Sequence, residues 1–152
     1  MKLREEDLRR VVWLSDPALS PDGETAVYVR AVSDYNTGEN NPTLVEISLS
    51  TGLSGPVSAL TRRQQSPRFS PDGAFLAFRS DDEKVNRLYV KNLKTGEEKR
   101  LTAFETRDYC WSTDGKTIAA VIPLPPDRQG NPMRVESEEE CGQWKRKMDH
   151  AP

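Results

Sequence analysis

The chain has 152 residues, 35% of them hydrophobic, which is long enough for one domain with a core of its own. Its 22 Lys and Arg against 24 Asp and Glu leave a net charge of −2, so no broadly basic surface neutralises phosphates and no nucleic-acid partner is expected. There is no apolar run near the ~18 residues that cross a bilayer, no apolar signal core at the N-terminus, and no metal-ligand spacing between Cys110 and Cys141, so the expectation is a cytoplasmic protein without membrane contact.

In chain order, residues 1–14 read as a helical lead-in. In "REEDLRRVVWL" (4–14), Leu8, Val11 and Val12 share a helical face, with acids early and arginines late, as a helix dipole favours. Residues 15–62 form a first four-strand unit: "DPAL", the turn Ser20-Pro21-Asp22-Gly23, "TAVYV", a polar loop over 33–42, then "TLVEISLSTG" and "VSALT" (57–61). Residues 63–104 repeat it with "SPRF", Ser70-Pro71-Asp72-Gly73, "FLAF", "RLYVKNLKTG" and "EKRLT" (98–102). Residues 105–122 begin a third copy, "DYCW", Ser112-Thr113-Asp114-Gly115, "TIAAV", which covers two strands. Residues 123–152 change character to a turn-rich linker and a charged tail, read as a solvated insertion.

The turn chemistry explains the repetition. Proline presets φ at the first corner of a type I turn, aspartate bonds the backbone two residues on, and glycine takes the left-handed position without steric cost. A type I turn followed by a left-handed glycine is a common hairpin connection. Thr113 in place of proline is expected to loosen the third turn. The serines read as turn residues, since no base or oxyanion feature accompanies three equivalent hydroxyls.

Four antiparallel strands at a period of 40–50 residues predict an all-β fold, a β-propeller of about two and a half blades. The second strands "AVYV", "LAF" and "IAAV" are apolar at successive positions, which predicts cover on both faces, as stacked blades provide. Propellers close with about four to eight blades. Two and a half would leave strand edges and an apolar flank open, so the chain is expected to be part of a longer protein. A partial propeller that self-assembles is a further possibility.

Residues 7–30, "DLRRVVWLSDPALSPDGETAVYVR", with "SPRFSPDGAFLAFRS" (66–80) and "RLYVKNLKTGEEKRLT" (87–102), resemble the N-terminus of prolyl oligopeptidase family serine peptidases, in the acylaminoacyl-peptidase or dipeptidyl-peptidase branch. The resemblance covers residues 7–122. It implies a propeller that caps an α/β-hydrolase domain and filters peptides on their way to a Ser-Asp-His triad. The implied partners are therefore the remaining blades, the hydrolase domain and peptide substrates.

The triad itself has no counterpart here. A nucleophile elbow G-x-S-x-G is absent, and "GLSGP" (52–56) ends in Pro56 where a glycine is needed. His150, the single histidine, lies in the polar tail. The acidic "SDDEK" (80–84) lacks calcium-ligand spacing and reads as a solvated hairpin tip. Cys110 reads as a small buried hydrophobe, Cys141 as an unremarkable tail thiol, and Tyr109 and Trp111 as blade packing. No catalytic, cofactor-binding or metal residue is expected, so the chain alone is expected not to be an enzyme. The alternative is a non-enzymatic propeller for protein binding, resembling TolB-like or WD-like repeat proteins that share the SPDG turns.

Overall fold

The computed structural model describes residues 11–33, 39–59, 62–82 and 84–123. Among them, ten strands form three antiparallel sheets, each built in sequence order. The first sheet holds β1 (Val12–Leu19), β2 (Thr25–Ser33), β3 (Asn40–Ser48) and β4 (Ser54–Pro56). The second repeats it with β5 (Gln64–Phe69), β6 (Phe75–Asp82), β7 (Val85–Asn92) and β8 (Glu98–Arg100). The third pairs β9 (Asp108–Trp111) with β10 (Ile118–Val121).

The helical lead-in falls mostly on residues 1–10, outside the described residues. Its last part is corrected: Val12, Trp13 and Leu14 open β1 and pair with Val32, Ala31 and Arg30. The β-prone Val12 and Trp13 beside a free strand edge outweigh a helical pattern without tertiary support. Two boundaries also move. At the two ends of the polar stretch 33–42, Ser33 and Asn40–Pro42 are strand, because the hairpin register carries Ser33 opposite Asn40 and Ala31 opposite Pro42. The first sheet's last strand is Ser54–Pro56, not 57–61. Val57 still extends the pairing, its N–H donating to the Leu44 carbonyl at 3.1 Å.

In the first two sheets the opening strand carries a one-residue bulge before a proline. Asp16 (φ 48°) precedes Pro17 and Ser66 (φ 54°) precedes Pro67, and the β1–β2 and β5–β6 registers each slip there. Such a bulge bends the strand and increases its local twist. The corresponding segment of β9, with Tyr109 where the prolines stand, runs without a slip.

Packing is face on face. The leading face of the first sheet sets Val27, Val29, Leu44 and Val57 against Leu76, Phe78 and Tyr89 of the second. The leading face of the second sets Ala77 and Leu88 against Tyr109 of the third, with Val90, Leu101, Trp111, Ile118 and Ala120 around them. Leu76, Ala77 and Phe78 are each 0% exposed at successive positions. Cover on both faces thus holds for the middle sheet. In the outer two, alternate residues remain open: Val27 and Val29 are buried while Ala26 and Tyr28 are half-buried, and Ala119 and Val121 are exposed.

Candidate functional site

The three turns share one hydrogen-bond plan. In the second, the Gly73 N–H donates to the Ser70 carbonyl at 2.9 Å and glycine holds φ 71°. The Ser70 hydroxyl donates to Asp72 Oδ1 at 2.6 Å and accepts from the Phe75 N–H at 2.9 Å. Asp72 Oδ1 also accepts from the Ala74 N–H at 3.0 Å. Ser20 with Asp22, and Ser112 with Asp114, repeat these contacts. The serine hydrogen bond, then the backbone one, holds all three carboxyls below the usual aspartate range. Each serine hydroxyl is committed within its own turn, so the turn assignment stands. Thr113 does not loosen the third turn, whose Gly115 N–H reaches the Ser112 carbonyl at 3.0 Å. The bonds come from serine, aspartate and glycine, and threonine disturbs none of them.

The turns also touch one another. A Cβ placed on Gly73 would sit 3.5 Å from Pro21 Cδ, and one on Gly115 would sit 3.4 Å from Pro71 Cδ. Each proline therefore backs the glycine of the following turn, and the three turns stand in a contiguous row. Local turn chemistry gives no hint of this second role for proline.

Polar groups clasp the second sheet to the third. The buried Tyr109 hydroxyl donates to the Ala77 carbonyl at 2.7 Å and also reaches the Ser66 carbonyl at the bulge. Burial holds that hydroxyl's pKa well above the ordinary tyrosine value. Arg79 reaches Ser66 Oγ at 2.8 Å and the Arg107 carbonyl. Trp111 Nε1 donates to the Arg68 carbonyl at 3.1 Å. Beside this clasp lies an open groove of about 360 Å³, its walls set by Leu88, Val90, Leu101, Trp111, Ile118 and Lys116. It lies against the strands of the second sheet that β9 and β10 leave bare.

The remaining candidates disperse. Tyr109 and Trp111 are packing residues, as expected. Cys110 is exposed, which corrects the buried reading: strand alternation turns Tyr109 and Trp111 inward and Cys110 to the opposite face, against which no described sheet lies. "SDDEK" is no free tip from its start, since Ser80–Asp82 belong to β6 and Ser80 is 0% exposed. Ser54 of "GLSGP" opens β4 after a turn in which Gly52 holds φ 72°. His150 and Cys141 lie outside the described residues. Among the described residues no group of His, Cys, Asp and Glu is placed to hold a metal ion.

Four-stranded antiparallel sheets, written by an internal repeat and stacked face on face, are blades of a β-propeller. No protein-family model matches the chain. Over 122 residues it is 32% identical to the uncharacterized peptidase YuxL of Bacillus subtilis (strain 168), covering 78% of this chain and 19% of that protein. A 52-residue stretch is 40% identical to the Tol-Pal system protein TolB of Pseudomonas aeruginosa, covering 33% of this chain and 12% of TolB. Among solved structures, an acylaminoacyl peptidase in complex with Z-Gly-Gly-Phe-chloromethyl ketone superposes with a TM-score of 0.66 at 25% identity, over 77% of this chain and 18% of that one. The β-propeller domain of the Trilobed protease from Pyrococcus furiosus does so with a TM-score of 0.60 at 26% identity, over 73% of this chain and 34% of that one. The described sheets are propeller blades, similar in sequence to a peptidase and in fold to an acylaminoacyl peptidase and to the propeller domain of the Trilobed protease. The chain spans about a fifth of the length of the curated peptidase it matches.

Proposed function

We propose that this chain is the opening part of the propeller of a serine peptidase, whose role is to gate peptides on their way to an α/β-hydrolase domain outside these 152 residues. The observation that carries this reading is the 122-residue match to a peptidase, which runs through all three repeats rather than one turn. The chain by itself is not catalytic in this reading: its three turn serines are tied to their own aspartates, and acyl transfer needs a serine free to engage a base. A fluorophosphonate probe should leave the purified chain unlabelled.

The likeness to TolB supports a second reading, a propeller that binds protein partners without hydrolysis. Sequencing the gene beyond the Pro152 codon separates the two. The peptidase reading expects further blades followed by G-x-S-x-G. Further blades with no hydrolase region would overturn it in favour of the binding propeller.

A further inference from the structure

The internal repeat makes the same contact twice: a leading face of small aliphatic residues packs on the trailing face of the next sheet. One face of each kind has no described sheet against it. On the trailing face of the first sheet, register and alternation place Leu14, Leu19, Ala26, Tyr28 and Val45 together. In the repeat they correspond to Gln64, Phe69, Leu76, Phe78 and Tyr89, which the second sheet buries or half-buries against the first. Leu14 and Leu19 are 64% and 59% exposed. On the leading face of the third sheet stand Cys110, Ala119 and Val121, the counterparts of Ala18, Val27 and Val29, with Val121 57% exposed.

The two open faces fit each other as the covered ones do. Leu14 replaces Gln64, whose side chain accepts the Leu44 N–H in the covered interface, so the open face offers aliphatic surface there. Charges match at its edge. Arg30 lies beside Leu14 on the trailing face, and Asp108 lies beside Val121 on the leading face. The repeat sets them at one level: Ser80, the counterpart of Arg30, pairs with Gln64, which reaches Leu44, the pairing partner of Val29. Asp108 Oδ1 also accepts the Tyr109 N–H at 2.9 Å and lies 3.7 Å from Arg68, while the side chain stays 66% exposed.

We propose that this 152-residue chain closes head to tail with a second copy of itself, the leading face of each third sheet docking on the trailing face of the other copy's first sheet. Two copies bring four four-stranded and two two-stranded described sheets, the equivalent of about five blades, inside the range of about four to eight at which propellers close. A heterologous contact of this kind gives a closed dimer when its rotation completes the turn, and an open fibre when it does not. The inference rests on the packing of the sheets and not on the peptidase assignment.

Light scattering coupled to size exclusion, run on the whole chain from micromolar to millimolar concentration, should give a dimer. Val121→Lys and Tyr28→Lys should each give monomers. Mixing the two variants should restore a complex, because each keeps the face that the other has lost. Leu53→Lys, at a residue 75% exposed before β4 and outside both faces, should leave the dimer intact. Should Tyr28→Lys fail to fold, thiol reactivity decides. In a Cys141→Ser background, Cys110 should alkylate about tenfold or more slowly in the dimer than in the Val121→Lys monomer, since the docked sheet covers it. A monomer at every concentration, a dimer that survives both substitutions, open-ended polymers, or equal alkylation rates would each overturn the proposal.

Discussion

The two interfaces between sheets are written in one repeat and held in different ways. Between the first and second sheets the contact is mostly apolar: Phe78 and Tyr89 stack with ring centres 5.9 Å apart over Val27, Val29, Leu44 and Val57. Its polar contacts include Gln64 accepting the Leu44 N–H at 3.1 Å, Ser58 donating to Glu98 at 2.7 Å and the Lys91 ammonium donating to the Val57 carbonyl. Between the second and third sheets, Ala77 stands where the first sheet has Val27, and the space goes to Tyr109, whose hydroxyl ties down two carbonyls. There the counterpart of Leu44, Leu88, gives its N–H to Thr102 Oγ1 at 2.9 Å, and Thr102 in turn meets Thr106 at 3.0 Å. Both devices satisfy the same backbone donor, as a buried N–H requires. The first interface has the larger apolar cluster, and the second adds the tyrosine clasp. A repeat conserves the plan of contact while the side chains that fulfil it change.

The largest break in that comparison should come at the apolar interface. Phe78→Ala removes a side chain that is 0% exposed and stacked on Tyr89, and should cost about 3–5 kcal/mol. Urea unfolding should show the midpoint collapse or the cooperative transition disappear. Tyr109→Phe keeps the ring and deletes the clasp, leaving the Ala77 and Ser66 carbonyls without that donor, for about 1–3 kcal/mol. The same titration should rank it below Phe78→Ala, and a reversed order would mean that the directed bonds dominate.

The turns allow a finer comparison. Gly23 and Gly73 share φ near 74° and 71°, but Gly23 faces open space while Gly73 backs onto Pro21. Gly23→Ala and Gly73→Ala should each cost about 1–2 kcal/mol through left-handed backbone strain. Thermal melts should place them close together, because a Cβ at 3.5 Å from Pro21 is an ordinary contact. The smallest effect is electrostatic. Asp22, Asp72 and Asp114 hold lowered pKa values in the folded chain. Their contribution to stability is therefore complete above the ordinary carboxylate pKa and fades as pH falls through the lower folded values. Carbon-detected titration should show Ser70→Ala moving the Asp72 pKa upward while leaving that of Asp22 in place.

Much of this molecule is legible residue by residue. The three turns, the strands on either side of them and the packing roles of Tyr109 and Trp111 follow from φ preferences, side-chain hydrogen bonding and apolar runs, all of which act within a few positions. The misreadings have a common cause. Val12–Leu14 carry a helical pattern, yet pair with Val32, Ala31 and Arg30 because a neighbouring strand lies within reach. Cys110 sits between two inward aromatics, and its exposure depends on which face of β9 another sheet covers.

The sequence by itself determined the repeat, the turn geometry and the antiparallel order of the strands, because these are local and periodic. Tertiary structure alone decided which face of each sheet is covered, that the prolines of one turn back the glycines of the next, and that Tyr109 bridges a bulge in β5 to β6. Those contacts join residues some thirty to fifty positions apart, and no local preference encodes which of two chemically similar faces meets its neighbour.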